Sequence, residues 1–194
     1  MRLLSVPRPA LRAIMADAIL QAELNDRTVV YPGVLAIIEA YPSASPLRGV
    51  NAIIRAGRLP DFLLWSHPPK LGRFRAPALY FAQHPVEASG VLRDRIEELR
   101  FRSGLLELAG IGPKTVDYLG CLAGRDAIAV DRHIRSFARE AGLRIRDYDT
   151  LRLVFCYAAD FLGMSRRDFD SRVWASVSSR RPEGRRLAIR IAPQ

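Results

Sequence analysis

The chain has 194 residues, 49% of them apolar and 26% charged, which is long enough to bury a core and too apolar for a disordered segment. Its net charge of +10 suits a polyanionic partner, because each phosphate neutralised by a cationic side chain releases counterions. No apolar run reaches the ~18 residues of a membrane span, the first residues lack the unbroken apolar stretch of a signal peptide, and two cysteines, Cys121 and Cys156, are too few for a four-thiolate cluster or a zinc finger; free buried thiols in a cytoplasmic protein are expected.

Helical periodicity dominates. Leu11, Ile14, Met15, Ala18, Ile19 and Ala22 share one face of a helix expected from about Pro9 to Leu24. Pro32-Gly33 and Pro42 bracket a short apolar segment. Helices follow near Val50 to Ala56, closed by Gly57, and from Asp61 to Trp65. Residues 66–77, SHPPKLGRFRAP, are expected to form a loop because of their prolines and glycine. Pro77 to Gln83 and Val91 to Leu99 are again helical, as are RSGLLELAG, PKTVDYLGCLAG, RHIRSFAREAG, Tyr148 to Leu162 and Arg166 to Val177. Gly110, Gly124 and Gly142 stand where left-handed helix caps belong. Strand signals are thin: RTVVY and LAIRI alternate weakly and neither has a hairpin partner. The arginine-rich tail from Arg180 is expected to be loosely ordered, either a solvated terminus or a non-specific DNA contact.

Of the 30 cationic residues only two, Lys70 and Lys114, are lysine. Arginine stays protonated at any accessible pH, whereas a lysine pKa responds to its surroundings, so a surviving lysine is a candidate for chemistry that arginine cannot perform. Lys114 lies in Leu105–Arg135, the most informative stretch. There Gly110-Ile111-Gly112 makes a tight turn and Pro113 opens the next helix, at the position where its missing N–H costs nothing. The glycines permit positive φ and close approach of a phosphate, and N–H groups at a positive helix end make an anion site. The turn by itself also suits a simpler reading, in which Ile111 plugs the core and Lys114 touches a phosphate. A cation in the first helical turn is disfavoured by about 0.3–1 kcal/mol; that field, with partial desolvation, lowers its pKa and prepares a free amine for attack on carbon.

Asp131 follows Lys114 by 17 residues, so one helix and one tight connection can return it to the same cleft. Aspartate is a preferred N-cap. The functional reading adds a carboxylate that stabilises an oxocarbenium-like sugar and assists proton transfer. The two roles are compatible, because a cap geometry fixes the carboxylate's direction.

Together L-A-G-I-G-P-K-T, Leu108 to Thr115, and A-V-D-R-H, Ala129 to His133, resemble the helix–hairpin–helix DNA glycosylase superfamily typified by endonuclease III. The motifs cover about 30 residues, and a late Asp-x-x-Val-Trp segment, Asp170 to Trp174, extends the outline. The resemblance implies an all-α fold of two helical lobes with double-stranded DNA bound across the cleft. Residues 26–124 would form a helical barrel ending in the hairpin, and residues 1–25 plus 125–194 the second lobe. It implies a monomeric base-excision enzyme in which Lys114 displaces a damaged or mispaired base, forms an imine with the sugar and promotes strand nicking, with Asp131 as partner. The alternative is a helix–hairpin–helix module that holds DNA without chemistry.

Gly110, Ile111, Gly112, Thr115, Arg132, His133 and Arg135 are the candidate DNA contacts. His133 has a second reading as a structural residue. Tyr118, one turn after Lys114, is the best candidate for a base pocket, ahead of Trp65, Phe74 and Tyr80. Gln21, Glu23 and Asn25 stand near the expected DNA wedge. The four-cysteine iron–sulfur loop of endonuclease III is missing, so no cluster, metal or organic cofactor is expected. A monovalent cation held by carbonyls near Leu108 and Ile111 is consistent with the resemblance.

Overall fold

The computed structural model describes residues 10–21, 30–42 and 47–179. Among them the chain is all helical, with no strand. In order come α1 (Leu11–Leu20), α2 (Tyr31–Ala40), α3 (Leu47–Arg55), α4 (Leu59–Leu63), α5 (Pro68–Gln83), α6 (Ser89–Arg95), α7 (Leu99–Leu106), α8 (Pro113–Leu122), α9 (Arg132–Glu140), α10 (Tyr148–Phe161) and α11 (Arg166–Ser179). No helix among the described residues is long and apolar enough to cross a membrane. The expectations for Glu23, Asn25, the LAIRI segment and the arginine-rich tail lie outside the described residues.

Several helix ends fall where the local chemistry puts them. Asp147 caps α10 by accepting the Thr150 N–H. Gly110, Gly124 and Gly142 all have positive φ, at 79°, 103° and 82°, as expected of left-handed caps. Residues 66–77 depart from expectation. Instead of a loop, most of them form the first ten residues of α5. Pro68 and Pro69 open that helix, where an amide N–H has no partner to lose. Pro77 sits inside it, buried like Phe74, Ala78 and Phe81; packing around the proline outweighs the lost hydrogen bond. In the same way Pro32 and Gly33 belong to the first turn of α2 rather than preceding it.

The apolar side chains gather in two clusters. The larger takes residues from α1 to α8 and the strap after α8, with Phe62, Phe74 and Phe81 fully buried at its centre. The smaller joins Ile128 and Val130 to Ile134, Ala138, Leu151, Phe155, Cys156 and Val173 of α9, α10 and α11. Two sequence expectations about α1 change here. Grouped from sequence with the C-terminal helices, it packs instead against α2, α3, α5 and α8 in the larger cluster. Its spacing also predicts one apolar face, yet every residue of it is buried, Arg12 and Asp17 included. Partners on several sides leave no polar face in water, a case that periodicity alone does not distinguish. Cys121 and Cys156 are free and buried, as expected.

One buried ion pair ties the clusters together. Asp117 of α8 is 3% exposed. It accepts from Arg102 Nη1 of α7 at 2.7 Å and from the Tyr148 hydroxyl of α10 at 2.8 Å. Tyr148 Oη in turn accepts the Val130 N–H at 3.3 Å, and the Cys121 thiol donates to Ala127 O at 3.2 Å. These bonds hold the strap 123–131 against α8, so its last residue, Asp131, returns to the start of that helix.

Candidate functional site

Lys114 and Asp131 line one small pocket of about 40 Å³, together with Gln21, Tyr118, Asp170 and Trp174. The pocket lies where α1, α8, the end of the strap and α11 meet. Lys114 is part-buried in the first turn of α8. Its Nζ donates to Gln21 Oε1 at 3.0 Å and stands 4.4 Å from the centre of the Tyr118 ring. Burial pushes the amine's pKa down, and the charges of Asp131, Asp17 and Asp170 only partly oppose it. Losing a proton is therefore easier here than in water.

Asp131 caps α9. Its Oδ1 accepts the backbone N–H of His133 at 2.8 Å and of Ile134 at 2.9 Å. Its Oδ2 lies 2.8 Å from His133 Nδ1. An ionised carboxylate has no proton to give, so the imidazole donates from Nδ1. Burial, the largest single influence, favours the neutral acid. The His133 and Ile134 hydrogen bonds together outweigh it and hold the carboxyl below the usual range. Asp131 is thus a fixed anion facing the amine.

His133 is buried and ring-packed against Trp174, with centroids 5.6 Å apart. That placement moves it from the candidate DNA contacts to the support of Asp131, because an inward ring reaches no phosphate. Gln21 and Tyr118 both reach the pocket and bond each other: Gln21 Nε2 donates to Tyr118 Oη at 2.7 Å, and the Tyr118 hydroxyl lies 3.1 Å from Asp17 Oδ1. The other aromatic candidates are elsewhere. Phe74 packs edge-on to Phe62 in the core, the Tyr80 hydroxyl donates to Phe101 O, and Trp65 faces Lys70.

The turn between α7 and α8 departs from its sequence reading in two ways. Only Gly110 has positive φ; Gly112 is extended, at φ −104° and ψ 175°. A Cβ on Gly110 would also lie 2.8 and 2.9 Å from Cγ and Cδ of Arg73, whereas one on Gly112 meets nothing within 4 Å. The second departure concerns the donors. The N–H of Ile111 is spent on Leu108 O and that of Thr115 on Gly112 O, so neither can serve an external anion. Ile111 is instead a core residue at 4% exposure. The N–H groups of Gly112 and Lys114 have no acceptor among the described residues. Gly110→Ala should therefore lower stability in denaturant titration by about 1–2 kcal/mol, and Gly112→Ala by less than about 0.5 kcal/mol. Equal losses would refute this division.

Beyond the Asp131 cap, Arg132, Arg135 and Arg139 of α9 line an open groove of about 680 Å³ with Arg144 and Arg146 of the following segment. Among the described residues no carboxylate forms an ion pair with any of the five. Arg132 and Arg135 were expected to be cationic contacts. Arg139, Arg144 and Arg146 were not singled out, because only the turn after α9 brings residues 144 and 146 alongside the helix.

Asp170 and Trp174 were noted in the sequence only as part of a helical outline. They stand four apart, on one face of α11, and that spacing was the available signal. Burial first, then the charge of Asp131, pushes the Asp170 carboxyl up to about 7, against the opposing effects of the Ala129 N–H and Lys114. Among the described residues no three of His, Cys, Asp and Glu converge to hold a metal ion. No family model, curated protein or solved structure matches this chain.

Proposed function

We propose that the protein is a base-excision-repair DNA glycosylase with lyase activity, in which Lys114 attacks C1′ of an extruded deoxyribose and Asp131 supplies the fixed negative charge. One observation carries this reading: a lysine amine whose pKa is lowered by burial and an oriented carboxylate line the same pocket. Those are the two needs of imine-forming excision, a free nucleophile and a preorganised anion where the sugar gains positive charge. The resemblance of the Leu108–Thr115 and Ala129–His133 motifs to helix–hairpin–helix glycosylases supports the same assignment, and the two apolar clusters suit its two lobes. The Leu108 carbonyl already accepts the Ile111 N–H, and its second lone pair is what a hairpin cation would take.

DNA approaches through the N–H groups of Gly112 and Lys114 and along the arginine groove. A strand of phosphodiester suits that groove because five guanidinium groups with no carboxylate in ion-pair contact make its potential positive. Replacing Arg139, Arg144 and Arg146 together by alanine should weaken binding alike on all duplex sequences. It should also reduce the slope of log K against log salt by roughly 2–3, measured by fluorescence anisotropy. An unchanged slope would place the DNA elsewhere.

A second reading, a module that holds DNA without chemistry, is favoured by one feature. The pocket has room for a water and not for a nucleobase, so an extruded nucleoside enters only when lining side chains move apart. Sodium borohydride trapping on abasic-site duplex separates the readings. The enzyme is captured covalently; the module is not.

A further inference from the structure

An ammonium cannot attack carbon until it has lost a proton, and the pocket limits where that proton can go. The two groups nearest to Lys114 Nζ, the Gln21 amide oxygen and the Tyr118 ring face, are too weakly basic to take it. Asp131 is nearby, but both of its oxygens are engaged by three donors, the His133 and Ile134 N–H groups and His133 Nδ1. Protonating Oδ2 would cost the bond from His133 Nδ1. Asp17 pairs with the Tyr118 hydroxyl and does not line the pocket. Asp170, on α11, does line it. The nearby Ala129 N–H favours its charge, and its oxygens keep acceptor capacity for a proton.

We propose that Asp170 takes the proton from the Lys114 ammonium and returns it to the leaving group. The assignment rests on the glycosylase reading above. Asp131 and Asp170 then divide the work of two carboxylates, one kept charged by its donors and one poised between charged and neutral.

Charged groups act on Asp170 from two other elements. Asp131, at the start of α9, repels its charge. Lys114, from α8, attracts it. Together with burial these put its titration at about 7. The neighbouring Cys121 thiol is pushed up by burial and by Asp170 itself, so it stays protonated and does not compete.

The steps balance. A proton passes, through one water in the pocket, from the ammonium to the Asp170 carboxylate, leaving an amine and a neutral acid. The amine lone pair bonds to C1′, and the C1′–N glycosidic bond breaks with its electron pair going to the base, which takes the proton held by Asp170. A second proton leaves the alkylated nitrogen for O4′ as the C1′–O4′ bond opens, giving a protonated imine. On abasic-site DNA the amine adds to the aldehyde, one of its protons moves to the aldehyde oxygen, and the resulting hydroxyl leaves as water with the Asp170 proton.

The test is the rate of borohydride-trapped single turnover on abasic-site duplex from pH 5 to 9, for the wild type and Asp170→Asn. The productive state holds one proton shared between Lys114 and Asp170. The wild-type profile is therefore a bell, falling on the acid side where both groups are protonated and on the alkaline side where neither is. Asp170→Asn leaves the amine alone, so the profile becomes a single rise toward alkaline pH, with at least about a 100-fold loss at pH 7. Superimposable profiles would overturn the proposal and leave the glycosylase reading intact. A wild type that is not captured at any pH overturns that reading, and the proposal with it.

Thermal melting supplies a readout independent of activity. A carboxyl whose pKa is raised by folding destabilises the fold once it ionises. Asp170→Asn should therefore melt above the wild type at pH 8, with the difference closing toward pH 5. A variant that melts below the wild type at both pH values would show that Asp170 is not a buried proton-holding carboxyl.

Discussion

Lys114→Gln is expected to reduce borohydride capture of abasic-site DNA to background, a loss of at least about 1000-fold, because the nucleophile itself is removed. Glutamine keeps a polar end that can still meet Gln21, so the pocket need not collapse. What disappears is the one group there able to form an imine. The accompanying stability change has opposing parts. Removing a desolvated cation is favourable, whereas leaving Asp17, Asp131 and Asp170 without it is unfavourable. Melting temperature should therefore change little compared with capture. Binding to undamaged duplex should persist, since the arginine groove and the Gly112 N–H are untouched. Capture equal to wild type would identify another nucleophile, and the fold would then hold DNA through α8 without using its lysine.

The second large effect is expected at Asp131. Asparagine is as good an N-cap as aspartate, so Asp131→Asn should keep the bonds from His133 N and Ile134 N to the side-chain oxygen. It loses the charge opposite Lys114 and turns a donor toward His133 Nδ1, where the carboxylate accepted. Single-turnover capture should slow by about 100- to 1000-fold, while stability shifts by less than about 1 kcal/mol. Asp131→Ala removes the cap as well and should cost about 1–2 kcal/mol.

The pH dependence has a definite sign. The Asp131 carboxyl titrates lower in the folded protein than in the unfolded chain, because its hydrogen bonds outweigh its burial. Its stabilisation is therefore present above the unfolded pKa of about 4 and is lost as pH falls through the lower, folded value. Melting curves taken below about pH 5 should show the wild type losing this contribution and the asparagine variant not. Unchanged capture by Asp131→Asn would refute the electrostatic role and leave only the cap.

Asp131 shows how far local sequence reaches. Cap and candidate partner could be read together, because capping depends on a few bonded neighbours and the 17-residue spacing allows one return to α8. The helical class was legible in the same way, from spacing, and so were the glycine caps, from the backbone freedom that a left-handed turn requires. Proline misled at residues 66–77 and at Pro32. Its local cost is a missing N–H and a fixed φ, and whether that breaks a helix depends on where the helix starts and what packs on it.

What only the tertiary structure decided is which surfaces meet. The burial of α1 on all sides, the inward turn of His133, the engagement of the Ile111 and Thr115 N–H groups and the arrival of Asp170 opposite Lys114 each depend on segments far apart in the chain. Desolvation and field at a point are summed over neighbours from every helix around it. A motif of about 30 residues can name an amine and a carboxylate, but the burial that lowers the amine's pKa and the further carboxylate on α11 that lines the same pocket come only with the fold.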